Sequence, residues 1–440
     1  MKILNESDVL LVNVPTSRAA KINKVSASVL SMPPLGLMYI ASYLIKKHYI
    51  VSFIDLAVES MTMEYFTKEL EIINPKIVGI STYFESWTAM KSLIKVIKDH
   101  NKDIVIVGGG ICANFCENRM LNELGFDFLS LGEGEYSFEA LCSAILNNGS
   151  IYNVEGISFL NDNGDVLKKD VVRITKLDAL PFPDRSILNL DKYVYPFTIS
   201  TARGCPGRCV FCSSHAFWGE KVYFRKVENI IEEIRELNSQ YNAVEFFVVD
   251  DTFTINPERT KKFCNLLTKL DTKFIWGCES RADVVDIDLL RSMYDAGCRK
   301  IQFGLESADD DILESINKKI KFNHVENAVR LASEIGFDIN VSVIIGHAND
   351  TKKTIEYTIE KSYMLRDKYK ANVLYSINTP FPGTDLYENA REMGIEILTD
   401  NFDFYSTDNA IINTRYLFAE DLRLYYNNII FNRVGSENHR

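Results

Sequence analysis

Short runs of apolar, often β-branched residues alternate with longer amphipathic segments through the first third of this 440-residue chain. Continuous apolar runs are typical of strands buried on both faces, and the segments between them have the period of surface helices. The pattern predicts strands at 8–14, 51–55, 77–82, 104–107 and 126–131, and a helix over 37–47. Strands that alternate with helices indicate βαβ units, so we expect a doubly wound, Rossmann-like domain over residues 1–145.

A second alternation of strands and helices begins near residue 197. Its predicted strands are 198–201, 244–249, 274–278, 300–304, 339–345 and 372–377. Six βα units predict a partial (β/α)6 barrel over 197–395, so the fold class is α/β throughout. A connector, 146–196, contains a predicted hairpin at 156–166 with Asn163-Gly164 at its turn. Residues 396–440 form a short C-terminal extension.

Composition narrows the classes of partner and compartment. The net charge of −11 and the pI of 5.3 argue against nucleic acid as the main partner. No stretch approaches the ~18–20 consecutive apolar residues of a membrane span, and the N-terminus is predicted as a first strand, not as a signal peptide. Nine scattered cysteines, an odd number, favour a reducing compartment, so we expect a cytoplasmic protein.

Three of these cysteines follow the first barrel strand within a few residues of each other. Cys205, Cys209 and Cys212 have the spacing C-x3-C-x2-C. Thiolates this close in sequence can converge on one metal centre, and cysteine thiolates hold iron–sulfur clusters. The alternatives are a zinc site completed by His215 and thiols without a metal.

This cysteine loop, with the aromatic Phe211 before its last cysteine, resembles the signature of the radical S-adenosylmethionine (SAM) superfamily. The resemblance implies a [4Fe–4S] cluster on Cys205, Cys209 and Cys212, whose open iron binds SAM. An electron from the cluster then cleaves SAM to a 5′-deoxyadenosyl radical. It also implies a partner that supplies this electron, a low-potential donor such as flavodoxin or ferredoxin.

The first domain is similar to the cobalamin-binding domain at the N-terminus of many radical SAM enzymes, in segments 33–44, 77–82, 108–110 and 132–135, and the whole resemblance covers roughly residues 8–395. It implies that cobalamin binds at the carboxyl ends of the strands, where the loop Pro15–Lys21 also lies. The candidate residues are Ser81, Thr82, Gly108, Gly109, Gly110, Gly132 and Glu133. The motif Asp-x-His-x-x-Gly, which supplies a lower histidine ligand, is absent. Cobalamin therefore binds without a protein imidazole, or the domain has lost it.

Polar residues follow several barrel strands, at the end where barrel active sites lie. The candidate SAM-binding residues are Phe211, Asp250, Asp251, Glu279, Ser280, Arg281, Glu306, Ser307 and Gly346. Carboxylates there can accept hydrogen bonds from the SAM ammonium group, and the guanidinium of Arg281 matches its carboxylate. Helix caps and structural ion pairs are the alternative roles. Cys278, at a strand end, is a candidate donor of a proton or hydrogen atom.

Three functions remain open. The leading hypothesis is an enzyme that methylates an unactivated carbon of a small molecule with cobalamin as the methyl carrier. The second is a radical dehydration, cyclisation or rearrangement, with the cobalamin domain silent or accessory. The third is a regulator that binds cobalamin or zinc without turnover.

Overall fold

The computed structural model describes residues 4, 6–16, 32–59 and 62–437, with side chains as far as 430. The chain divides into two compact units, Met1–Thr198 and Ile199–Arg440. The finer four-part division at 145, 196 and 395 stays a prediction. Among the described residues, no helix is both long enough and apolar enough to cross a bilayer.

The first unit contains a seven-stranded sheet in the order β2-β1-β3-β4-β5-β6-β7. Its strands are β1 (Val9–Asn13), β2 (Val51–Asp55), β3 (Ile77–Ser81), β4 (Val105–Gly109), β5 (Phe128–Ser130), β6 (Ile157–Leu160) and β7 (Val166–Lys168). The first five are parallel, in the doubly wound order 2-1-3-4-5, as the sequence predicts. The predicted hairpin is also confirmed, and its strands β6 and β7 add antiparallel to the edge beyond β5.

Helices cover both faces of this sheet. They are Leu35–Lys46, Leu56–Glu59, Met63–Ile73, Trp87–His100, Ile111–Phe115, Glu117–Arg119 and Gly134–Leu146, with a π-helical turn Met120–Leu124. Short 3₁₀ turns are Phe84–Ser86, Ile151–Asn153, Leu177–Ala179, Arg185–Ile187 and Leu190–Lys192. The first and last α-helices pack Met38, Leu44 and Phe138 against Leu11 and Phe53 of the sheet. Burying each such side chain stabilises the fold by about 1.5–3 kcal/mol. The apolar residues of the strands and helices therefore hold these helices against the sheet.

The second unit contains a six-stranded sheet in the order β8-β11-β12-β13-β14-β15. Its strands are β8 (Thr198–Ile199), β11 (Glu245–Val248), β12 (Ile275–Ser280), β13 (Cys298–Glu306), β14 (Asp338–Ile345) and β15 (Asn372–Ile377). The four pairs from β11 to β15 are parallel, and all six predicted strands are present. Two small antiparallel pairs accompany them, β9 (Ala202–Arg203) with β10 (Tyr223–Phe224), and β16 (Glu396–Ile397) with β17 (Ile412–Asn413).

Helices follow the strands of the second unit in turn. They are Ser213–Trp218, Val227–Tyr241, Pro257–Leu267, Ile287–Asp295, Asp310–Ser315, Phe322–Ile335, Lys352–Tyr369, Asp385–Glu388 and Ala419–Glu437, with 3₁₀ turns Phe253–Ile255, Ala282–Val284 and Phe402–Phe404. In β12, Trp276 contacts Phe263 of helix Pro257–Leu267, so this face of the strand points to the helices. Since side chains alternate along a strand, Glu279 lies on the opposite face. The carboxyl ends of these six strands are called the barrel mouth below.

Candidate functional site

Asp250 is buried just after the end of β11. It sets the direction in which the chain leaves β8. The Asp250 carboxylate accepts hydrogen bonds from the Thr201 N–H at 2.6 Å, the Ala202 N–H at 3.0 Å and the Thr201 hydroxyl. Burial raises the pKa of Asp250. These contacts use both carboxylate oxygens, so Asp250 positions the start of the cysteine loop.

The three predicted cluster ligands lie together in this loop as free, partly buried thiols. The Gly207 N–H donates to Cys205 Sγ at 3.4 Å, and a Cβ at Gly207 would lie 3.4 Å from Cys205 Sγ and 3.9 Å from Cys209 Sγ. Burial raises the pKa of Cys209 and raises that of Cys212 to about 11. Three thiols with a backbone donor to sulfur are the donor set of an iron–sulfur cluster. The residues present therefore fit this cofactor.

A structural zinc ion needs four ligands on one ion, whereas in a cubane cluster each thiolate binds a different iron. Among the described residues, the structure shows no group of three or more His, Cys, Asp or Glu side chains gathered around the position of a single ion.

A buried ion pair lies at the end of β13. Lys318 Nζ donates to Glu306 Oε1 at 2.8 Å, and these side chains are 11% and 7% exposed. A Cβ at Gly304 would lie 2.5 Å from Glu306 Oε1 and 2.7 Å from Lys318 Nζ, so glycine makes room for the pair. Burial by itself lowers the pKa of Lys318, but Glu306 and Cys209 raise it, and the net shift is upward. Lys318 thus places a positive charge close to the cysteine loop.

Sequence reasoning found Glu306 but missed Lys318. A Lys-Lys pair after a short helix is ordinarily a surface feature. Lys318 is buried, and the left-handed φ of 55° at Asn317 and 56° at Lys319 turns the chain on either side of it. Asn317 is a residue type that favours this conformation, but the sequence does not show that the turn buries Lys318.

Ser280 and Arg281, at the end of β12, both make their hydrogen bonds within the protein. Arg281 makes two hydrogen bonds to Asp283, at 3.0 and 2.9 Å, and a third to the Lys318 carbonyl at 3.2 Å, so the structural ion pair is present. Ser280 is buried, with its Oγ 2.5 Å from Thr254 Oγ1. Both residues support the mouth through protein contacts.

Two carboxylates, Asp251 and Glu279, remain at the mouth without an ion-pair partner among the described residues. The Ser214 hydroxyl donates to Asp251 at 2.6 Å, and the Gln302 amide donates to Glu279 at 3.4 Å. Burial raises the pKa of Glu279, and the carboxylates of Asp251 and Glu306 raise it further. The two groups therefore repel one another and favour a cationic ligand between them.

Ser307, the last of the predicted polar residues at this end of β13, is fully engaged inside the protein. Its Oγ lies 3.2 Å from Thr358 Oγ1 and accepts a hydrogen bond from the Asp309 N–H at 3.2 Å. Ser307 therefore fixes the turn into the following helix.

Gly346 ends β14 with φ of 90°, and its N–H donates to Asp350 Oδ2 at 3.0 Å. A Cβ there would lie 2.9 Å from Leu422 Cδ1, so this glycine makes room for the C-terminal helix. The next residue, His347, is fully buried, and its ring centroid lies 5.9 Å from that of Phe211 in the cysteine loop. Sequence reasoning also missed His347, although a histidine directly after a buried strand was visible.

Cys278 lies away from the mouth. It is fully buried on the helix-facing side of β12, on the same face as Trp276. Burial raises the pKa of Cys264, on the facing helix, to about 12, and the nearby Cys278 thiol adds to that rise. This position is against the predicted donor role, because a donor has to reach ligands on the opposite face of the strand.

In the first unit, the ends of β3 and β4 are joined by Thr82. Its N–H and hydroxyl both donate to the Gly109 carbonyl, at 2.8 and 3.0 Å, and its Oγ1 accepts from the Ala113 N–H at 3.2 Å. Ser81 donates to Asn13 at 2.7 Å, at the switch point between β1 and β3. Crevices at such switch points are where doubly wound sheets bind ligands.

The three consecutive glycines after β4 differ in their surroundings. A Cβ at Gly108 would lie 2.9 Å from Phe126, so Gly108 faces the packed core. A Cβ at Gly109 would meet atoms only at 3.7 Å and beyond, and Gly110 has φ of 111° beside Thr82. Gly109 and Gly110 therefore lie without side chains at the carboxyl edge of the sheet, where a ligand can approach the backbone closely.

Gly132 and Glu133 hold the connector. A Cβ at Gly132, where φ is 65°, would lie 2.4 Å from Val171 Cγ1, and Glu133 Oε2 accepts from the Ile174 N–H at 2.8 Å. The predicted cobalamin residues thus separate into Ser81, Thr82, Gly109 and Gly110 near the switch point and residues with structural contacts. Most of the predicted loop Pro15–Lys21 lies outside the described residues.

Comparisons with known proteins identify both units. Residues 199–362 match the model of the radical SAM superfamily, and residues 25–142 match that of the B12 binding domain. The chain is 31% identical to the uncharacterized methyltransferase PH0819 of Pyrococcus horikoshii, over 96% of this chain and 90% of that protein. It is 29% identical to the anaerobic magnesium-protoporphyrin IX monomethyl ester cyclase of Rubrivivax gelatinosus, over 85% of this chain and 68% of that one.

A solved structure shares the fold. It is that of the radical SAM methyltransferase TsrM from Kitasatospora setae with cobalamin and a [4Fe–4S] cluster bound, at a TM-score of 0.73 and 18% identity, over 90% of this chain and 78% of that one. The chain therefore belongs to the radical SAM superfamily, as an enzyme with a B12-binding domain whose cofactors are a [4Fe–4S] cluster, SAM and cobalamin.

Proposed function

We propose that this protein is a cobalamin-dependent methyltransferase that methylates an unactivated carbon of a small molecule. The observation that carries the proposal is the cysteine loop with three free thiols beside the buried Glu306–Lys318 pair, in a chain similar over nearly its whole length to a methyltransferase. When bound, the cluster supplies the electron that cleaves SAM, and cobalamin carries the methyl group.

Different residues of the barrel mouth bind the cluster and the carboxylate of SAM. Cys205, Cys209 and Cys212 hold the cluster, and the Gly207 N–H stabilises the Cys205 thiolate. The Lys318 ammonium, which acts electrostatically on Cys209, is suited to the SAM carboxylate.

Two carboxylates of the barrel mouth are suited to the positively charged groups of SAM. Asp251 and Glu279, which have no cationic partner among the described residues, are suited to its ammonium and sulfonium charges. Phe211 provides an apolar edge for adenine. The other predicted SAM residues, Asp250, Ser280, Arg281, Ser307 and Gly346, act as positioning residues through the contacts described above.

In the first unit, Ser81, Thr82, Gly109 and Gly110 lie at the carboxyl edge of the sheet, which would take part of the corrinoid. The sequence lacks the Asp-x-His-x-x-Gly motif, so we propose that cobalamin binds here without a protein imidazole as lower ligand. The absorption spectrum of bound cobalamin tests this directly, because replacement of the axial base shifts its visible bands.

Two further proposals concern partners and compartment. The electron comes from a low-potential donor such as flavodoxin or ferredoxin. All nine cysteines are free thiols in the structure, which supports the cytoplasm as the compartment.

Product analysis tests the proposed function. The protein is reconstituted anaerobically with iron and sulfide, and incubated with SAM and a chemical reductant, with and without cobalamin. We expect 5′-deoxyadenosine in both samples and S-adenosylhomocysteine only with cobalamin. The Cys205→Ala variant, without a complete cluster, is the control and should give neither product.

A radical reaction without methyl transfer is the second candidate, favoured by the similarity to the Rubrivivax cyclase. It predicts 5′-deoxyadenosine without S-adenosylhomocysteine under every condition. If neither product forms in a sample that has a complete cluster, both enzymatic proposals are wrong.

A further inference from the structure

The inner face of the six-stranded sheet, the face opposite to the helices, is open along three of its strands. In β13, β14 and β15 the side chains alternate between buried and half-exposed positions. The buried ones face the helices, as does Ile301, which lies in register with Cys278. The interior of a closed barrel is filled by layers of packed side chains. In this protein the inner side chains of the three strands stay accessible to a ligand.

A row of polar side chains crosses this inner face. The register of the strands places Glu279, Gln302 and Asn340 side by side, and Asn372 continues the row. The Gln302 amide donates to Glu279 at 3.4 Å, and Asn372 Nδ2 donates to Asn340 Oδ1 at 2.9 Å. Neighbouring strands lie about 4.8 Å apart, so the four side chains form one continuous row. The row begins at the barrel mouth, where Glu279 lies.

Two amides of the row each keep one group for a ligand. Among the residues that the structure describes, Gln302 Oε1 accepts no hydrogen bond and Asn340 Nδ2 donates none. The first group is an acceptor and the second a donor, and they belong to adjacent strands. A hydroxyl or an amide of a bound molecule can satisfy both, since it donates and accepts hydrogen bonds.

The charges near the row are unfavourable for an anionic ligand. The Glu279 carboxylate has no ion-pair partner within the described part of the chain, and the carboxylates of Asp251 and Glu306 act on it. Lys300, which also lies on the inner face, is paired with Asp338 at 3.7 Å. A carboxylate or phosphate would therefore be repelled by Glu279 without a free cation beside it.

An apolar ligand is unfavourable for a different reason. It would displace water from the amides of Gln302 and Asn340 and replace none of their hydrogen bonds. Polar groups that are desolvated without a new partner oppose binding. An uncharged ligand with its own hydrogen-bonding groups avoids both costs.

We infer that Gln302 and Asn340 select the substrate, and that the substrate is an uncharged small molecule with hydroxyl or amide groups. The inference rests on the proposed function, in which the molecule bound here is the methyl acceptor. Because the row begins at Glu279, a molecule on it lies beside the residues proposed to bind SAM. This substrate differs in class from the protoporphyrin ester for which the Rubrivivax cyclase is named.

Ligand capture from a defined mixture tests the inference without turnover. The protein carries its cluster, cobalamin and SAM, and no reductant is added. The mixture contains commercial metabolites of three classes, which are neutral sugars, nucleosides and amides; carboxylates and phosphates; and isoprenoids and porphyrins. Equilibrium dialysis and mass spectrometry identify the compounds that the protein retains. The variants are Gln302→Leu and Asn340→Leu, and Asn265→Leu, at an exposed position of helix Pro257–Leu267, is the matched control.

We expect the wild type and Asn265→Leu to retain compounds of the first class. Each amide variant should bind these compounds about five-fold more weakly or worse, because one hydrogen bond to the ligand is lost. Calorimetry should give the same SAM affinity for Asn340→Leu as for the wild type, since Asn340 lies two strands away from Glu279.

Four results would overturn the inference. They are retention of only charged or only apolar compounds, no retention at all, neutral compounds that both amide variants bind as tightly as the wild type does, and an equal loss of SAM affinity in Asn340→Leu. If one amide variant does not fold, the other decides, and if neither folds, the row is structural and the inference is wrong. Wild-type protein that retains neutral compounds but forms neither product with reductant defeats the proposed function alone.

Discussion

The ion pair of Glu306 and Lys318 allows the sharpest test of the barrel mouth. Lys318→Met removes the ammonium and keeps most of the side-chain length, which leaves the Glu306 carboxylate only 7% exposed and without its partner. Glu306→Gln leaves the Lys318 ammonium, 11% exposed, without its charged partner. The double variant leaves two uncharged side chains of similar size.

The burial of both side chains determines how much each variant loses in free energy of unfolding. Removing one partner of a buried ion pair costs about 3–5 kcal/mol, because the remaining charge stays desolvated, whereas replacing both partners is often neutral. We therefore expect each single variant to be destabilised by about 3–5 kcal/mol and the double variant by roughly 1 kcal/mol. The left-handed φ of 63° at Glu306 is present in all four proteins and cancels from the comparison.

Equilibrium unfolding in denaturant measures these differences. Trp218 and Trp276 belong to the second unit and report on it by fluorescence once Trp87 of the first unit is replaced by Phe in every protein compared. The cluster-free protein is used so that metal binding does not contribute. For a unit of this size each kcal/mol corresponds to about 2–4 °C in Tm, so thermal unfolding gives an independent value. Lys68→Met, in an exposed pair with Glu64, is the matched control and should have little effect.

Additive effects would refute the reasoning. If the double variant loses the sum of the two single losses, the side chains contribute independently and the pair is not a desolvated unit. SAM binding gives a separate result. Lys318→Met and the double variant should both bind SAM more weakly, since stability restored in the double variant does not restore Lys318.

Three further predictions concern positioning groups. Asp250→Asn turns an amide toward the Thr201 N–H, so it should lower the iron bound on reconstitution, and unchanged iron and sulfide content would contradict this. Gly132→Ala places a Cβ 2.4 Å from Val171 at φ of 65°, so limited proteolysis should cut the connector faster than in the wild type. Burial raises the Asp350 pKa from 3.8 to about 6, so its contribution to stability is full below pH 3.8 and is lost as pH rises through 6. The stability of Asp350→Asn relative to wild type should therefore rise by about 2.4 kcal/mol from pH 4 to 7, and a constant difference in unfolding free energy is the contrary result.

Local patterns account for most of the fold. The strands Val51–Asp55 and Asn372–Ile377 agree with the predicted ranges to the residue, because a buried strand needs a run of apolar side chains bounded by polar ones. The cysteine loop is equally local, since its spacing of C-x3-C-x2-C lies in one stretch of chain. The family resemblance follows from this loop and from the order of short motifs before it.

Contacts between distant segments decided which side chains serve the site. Asp250 and Arg281 have the residue types expected of SAM ligands, but Thr201, Asp283 and Lys318 occupy their hydrogen bonds. Cys278 lies in the expected strand but points to its helix-facing side, because alternation along β12 fixes its direction relative to Trp276.

The sequence by itself determined the strand order along the chain, the cysteine loop and the superfamily, because each depends on residues close together in sequence. The tertiary structure alone decided that Lys318 is a buried partner of Glu306 and that His347 is buried with no hydrogen-bond partner for its ring among the described residues. Burial and pairing depend on which loops meet at the ends of the strands, and a sequence records that only through contacts between residues far apart in it.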